Sequence, residues 1–81
     1  MKFELYKKAV MSRDVPAEGL KQGDVVTLLD YLTAPSGKHG YNIEVFNTLG
    51  ETVLVTAVDE EDLEALRADE VWAVRRLEPA V

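Results

Sequence analysis

Apolar and polar residues alternate along most of this chain with the period of β-strands, and the alternation is cut at regular intervals by turn residues. Tyr41, Ile43 and Val45 alternate with Asn42 and Glu44, the pattern of a strand with one dry and one wet face. Thr52, Leu54, Thr56 and Val58 alternate with Val53, Val55 and Ala57, so this strand is expected to be covered on both faces. The run Val25 to Leu32 is rich in β-branched and large apolar residues that suit a pleated surface. Breaks fall at Asp14 to Gly19, at Gly23-Asp24, at Ala34 to Gly40 and at Asn47 to Gly50. Each contains a glycine, and the first and third also a proline, the residues that turns demand. These signals predict strands over 5–12, 24–33, 40–47 and 51–58, with a hairpin at Asn47 to Gly50.

Beyond residue 58 the pattern changes. Asp59, Glu60, Glu61 and Asp62 fit the electropositive start of a helix, and Leu63 and Leu66 share a helical face, so one or two helical turns are expected from Asp59. Glu70 to Leu77 alternates again and is stopped by Pro79, which predicts a last strand. Strands joined by short hairpins, with one helical turn before the final strand, predict a mainly β fold: a small SH3-like five-stranded barrel occupying residues 1–81 as a single domain. The competing arrangement is an α+β sandwich in which residues 59–68 form a longer helix across one sheet face.

The stretch Asp14-Val15-Pro16-Ala17-Glu18-Gly19-Leu20-Lys21-Gln22-Gly23-Asp24-Val25, followed by Thr27-Leu28-Leu29, resembles the opening of a family of short bacterial proteins known as domain of unknown function 4926. Tyr41 to Phe46 and Gly50 to Thr56 match the family's later pattern, so the resemblance covers most of residues 3 to 66. It implies an SH3-like fold and carries no activity and no site residues. The chain departs from the family at Val26, where relatives often have glycine, and in the extension from Arg67 to Val81.

Composition narrows function more than it defines it. With 81 residues there is room for one core, and without cysteine neither disulfides nor thiolate metal ligands can reinforce it. Charges interrupt every apolar stretch of the N-terminus, and no apolar run approaches the ~20 residues of a spanning helix, so a cytoplasmic location and no membrane partner are expected. A net charge of -6 works against nucleic acid and anionic lipid. The single histidine, His39, falls in a glycine-flanked loop that is a poor platform for catalysis, and Gly37-Lys38 lacks the spacing of a phosphate loop. The acids from Asp59 to Glu64 lack calcium-loop spacing. No catalytic residue, metal or cofactor is therefore expected, and a small metal-dependent or hydrolytic enzyme is the weakest of three readings.

The strongest is a non-catalytic protein-interaction module. Its candidate residues are Trp72, which alternation can place outside the core, and Glu60, Glu61 and Glu64, within a segment where seven of the fifteen acids fall in twelve residues with Arg67 as the only base. The partner would be a protein, basic where it meets that acidic face, or a second copy of the chain. The alternative is an RNA-associated barrel, in which Lys7 and Lys8 join Arg75 and Arg76 in one strip if the first and last strands pair.

Overall fold

The computed structural model describes residues 1–77. Five antiparallel strands form one sheet: β1 (Lys8–Met11), β2 (Val25–Thr33), β3 (His39–Phe46), β4 (Thr52–Asp59) and β5 (Leu63–Glu64), in the order β4-β3-β2-β1-β5. Two 3₁₀ turns, Pro16–Glu18 and Glu60–Asp62, are the helical elements among the described residues. The first four strands lie where the alternation puts them. The ladder is open, because β4 and β5 form its two edges and do not pair with each other, so the pairings do not close the barrel expected from the sequence.

The turns are where glycine is needed. Gly50, at φ 82°, donates its N–H to the Asn47 carbonyl at 3.0 Å, while the Asn47 side-chain oxygen accepts from Leu49 and Glu51 N–H. This closes the β3–β4 hairpin in the left-handed backbone that L-residues avoid. The loop before β3 ends one residue earlier than expected, so His39 opens the strand and does not sit in a flexible loop. Its ring stacks on Tyr31 with centroids 5.3 Å apart, and Nδ1 lies 3.2 Å from the Thr33 hydroxyl.

One sheet face carries the core. Ala9, Met11, Val26, Leu28, Tyr41, Ile43, Val58 and Leu63 are buried together with Leu20, which the loop between β1 and β2 folds over them. Phe3 and Leu5 cover the same face from the N-terminal side. Tyr6 takes a left-handed backbone at φ 64° between those residues and β1. The Tyr41 hydroxyl accepts from Phe3 N–H at 2.9 Å and donates to Glu60 Oε2 at 3.0 Å, tying the N-terminal segment to the second 3₁₀ turn.

Two expectations are overturned and a third holds in its shortest form. The helical turn expected from Asp59 is present before the last strand as a single 3₁₀ turn, and Asp59 makes no side-chain cap. The chain then leaves helical geometry because Leu63 and Glu64 pair with Met11 and Val10 on the free edge of β1, and Asp62 is drawn inward to the Arg13 guanidinium. Leu66 is consequently exposed and does not share a buried face with Leu63. Residues 70–77 form no strand, since the β1 edge they would need is already taken. Finally, β4 is covered on one face only: Leu54, Thr56 and Val58 face inward, while Val53 and Val55 are exposed. Pro79, expected to stop the last strand, lies outside the described residues.

Candidate functional site

The side of the sheet away from the core carries polar and apolar residues together. Register places Lys8, Thr27, Glu44 and Val55 in one row across β1, β2, β3 and β4, with Val10 and Val25 paired in the row beside it. Phe46 and Val53 continue this outer face towards the β3–β4 hairpin, and both are exposed. The Lys8 ammonium donates to Thr27 Oγ1 at 3.3 Å and lies 5.9 Å from the centre of the Phe46 ring. Glu44 accepts from the Thr52 hydroxyl at 2.5 Å.

After β5 the chain turns at Arg67 to Glu70. Glu70 N–H donates to the Arg67 carbonyl at 3.2 Å, the Glu70 carboxylate accepts from Arg67 N–H at 2.5 Å, and Arg67 grips Asp69 with two bonds of 2.9 Å. The arm that follows, Val71 to Leu77, runs back to the β1–β2 loop. There Arg75 makes a two-point ion pair with Asp24 at 2.8 and 2.6 Å and donates to the Gly19 carbonyl at 3.0 Å. Burial opposes ionisation of Asp24, but Arg75 and the N–H of Lys21 outweigh it and hold the carboxyl below its ordinary range.

Between arm and outer face lies a groove of about 950 Å³, bordered by Val10, Val25, Phe46 and Val53 on the sheet side and by Trp72 and Val74 on the arm. Val10 is buried, at 8% exposure, but most of the arm is left open. Trp72 is 75% exposed, Val71 90% and Val74 81%. Isolated exposed apolar residues are ordinary, but a contiguous set on two facing elements marks an interaction surface.

The sequence-derived candidates are distributed unevenly over this surface. Trp72 sits at the groove. The acidic run does not form one free face. Glu60 is half-buried, and burial raises its pKa, but Lys2 N–H, the Tyr41 hydroxyl and the N-terminal charge overcome that and hold it ionised below the usual range. Asp62 is 3% exposed and paired with Arg13, Glu61 lies 3.7 Å from the Lys38 ammonium, and Asp69 and Glu70 serve the turn. Glu64 is exposed beside Val10 on the outer face. Among the basic residues, Lys8, Arg75 and Arg76 border the groove, while Lys7 does not; Arg75 is held by Asp24. A second depression, about 590 Å³, lies by the other end of the sheet between Arg13, Lys38, His39 and Asp59, where Arg13 and Lys38 are each paired with an acid.

Sequence reasoning missed Asp24 as the anchor of the arm, because a Gly-Asp pair reads as turn chemistry alone. It also missed Arg13 and Asp62, whose partnership spans 49 positions and leaves no local pattern.

The molecule is thus a small, mainly β protein built on one five-stranded antiparallel sheet, with exposed apolar residues on its outer face. It belongs to the family described as domain of unknown function (DUF4926), whose model matches residues 5–65. No curated protein and no solved structure matches the chain. The matched region ends at β5, so the turn and the arm lie beyond it.

Proposed function

We propose that this chain is a non-catalytic protein-interaction module that binds through the groove between the outer sheet face and the arm. The observation that carries the reading is Trp72, exposed beside Val71 and Val74 and opposite Phe46 and Val53. Tryptophan and arginine dominate binding energy at interfaces, and the arm supplies both. We read the scaffold as a curled SH3-like barrel, on the strength of the strand order and the 3₁₀ turn immediately before β5.

The RNA-associated reading draws on Lys8, Arg75 and Arg76 near one aromatic pair, Trp72 and Phe46. It is weakened by Asp24, which neutralises Arg75, and by the excess of acid over the whole chain. Immobilised wild-type protein and a Trp72→Glu variant, exposed to an extract of the source cell, test the assignment. The wild type should retain a specific protein that the variant releases. Equal retention by both, or retention of nuclease-sensitive material alone, refutes it.

A further inference from the structure

We infer that the partner of this surface is a second copy of the chain, docked so that the arm of each protomer lies against the outer sheet face of the other. The inference rests on the interaction reading above and specifies its partner. Each chain carries both halves of a matched surface. The face offers Phe46, Val53 and Val55, the last of them 57% exposed, and the arm offers Val71, Trp72 and Val74. Within one chain the two halves leave each other largely uncovered, with Arg75 holding the arm to Asp24 and Gly19. The groove therefore stays open, with the Trp72 ring in solvent.

Charge supports the same pairing. Of the two arginines between Val71 and Leu77, Arg75 is taken up by Asp24, and Arg76 is the one whose charge remains to meet an acid. The outer face carries Glu44 and, at its β5 edge, Glu64, against a single Lys8 whose ammonium is turned onto Thr27 and Phe46. Arg76 and the Trp72 ring of one copy thus meet the apolar residues and the flanking acids of the other copy's outer face. Because the contact is reciprocal it closes around a two-fold axis, which limits assembly at two copies; a one-way arm-to-face contact would propagate into filaments. The arm also lies beyond the region shared with the family, after the last strand of the sheet, as an addition that the ladder does not need.

The test uses the full chain. Sedimentation velocity across a wide concentration range should show a monomer–dimer equilibrium, and the emission of Trp72, the single tryptophan, should move to longer wavelength as the dimer is diluted apart. Trp72→Glu and Val55→Glu should each weaken dimerisation on the order of thirtyfold, the loss typical of an interface anchor, with unchanged far-ultraviolet circular dichroism. The absence of cysteine permits a direct readout of geometry. Ala73→Cys and Val55→Cys proteins, prepared separately, mixed and oxidised, should form the mixed disulfide in preference to either homodisulfide. A chain that is monomeric throughout, a dimer indifferent to both glutamate variants, or cross-linking without preference for the mixed pair overturns the inference. If the chain is monomeric yet still retains a Trp72-dependent partner from extract, only the identity of the partner is wrong; if it retains none, the interaction reading fails as well.

Discussion

Replacing Tyr41 by Phe keeps the ring in the core and deletes one oxygen. Tyr41 is fully buried in the middle of β3, where the ring packs edge-on to Phe3 at 5.9 Å and against Tyr31 at 5.2 Å. Packing should therefore survive, and the loss isolates the hydroxyl. That hydroxyl accepts from Phe3 N–H and donates to the Glu60 carboxylate. A hydrogen bond to a charged group is worth about 1.5–3 kcal/mol, and a backbone donor left without a partner adds to the loss when it is shielded from water. Phe3 is only partly buried, so water can recover some of this. We expect Tyr41→Phe to cost about 2 kcal/mol, equivalent to a fall in Tm of about 10 °C for a domain of this size. Urea unfolding followed by circular dichroism measures it directly. The double variant with Glu60→Ala should be less destabilised than the two single changes summed, because both remove the same bond. A loss below about 0.5 kcal/mol, or strict additivity, would show that the hydroxyl does not tie the N-terminal segment to the second 3₁₀ turn.

Two further outcomes follow from the structure. A methyl group at Gly40 would lie 2.5 Å from the backbone carbonyl oxygen of Val58 across the β3–β4 ladder, so Gly40→Ala should cost about 2 kcal/mol through overpacking against an atom that cannot rotate away; an unchanged urea midpoint would contradict this close approach. Glu60 and Asp24 have carboxyl groups held below their unfolded values, so their contribution to stability is present above the ordinary carboxylate range and is lost as pH falls through the folded values. The urea midpoint should stay level from neutrality down to about pH 5 and decline below about pH 4, with a shallower acid limb in Arg75→Met, whereas an equally steep limb in that variant would show that Asp24 does not depend on Arg75.

The sequence by itself determined the turns and four of the five strands. Gly19, Gly23, Gly37 and Gly50 all adopt the positive φ that their turn contexts require, and such turns are local, decided by a few adjacent residues. The inward residues Tyr41 and Ile43 were likewise legible, because a period of two needs only one strand to be seen. The tertiary structure alone decided what became of residues 59–77. The acids and the Leu63–Leu66 spacing favour a helix by local preference, but the free edge of β1, some fifty residues earlier, offers Leu63 backbone pairing and a place in the core. Two residues there held the helix to one 3₁₀ turn and displaced the strand expected at 70–77, since one edge accepts one partner. Which side of β4 would be covered was equally undecidable along the chain: with apolar residues at Val53, Leu54, Val55 and Val58, alternation marks two possible faces, and only the packing of Leu20, Phe3 and Leu5 on one side of the sheet decides which of them is buried. The candidate site shares that origin. Trp72 was visible as a candidate anchor, but its groove exists because Arg75 reaches Asp24 across 51 positions, a contact that charge and spacing along the chain do not encode.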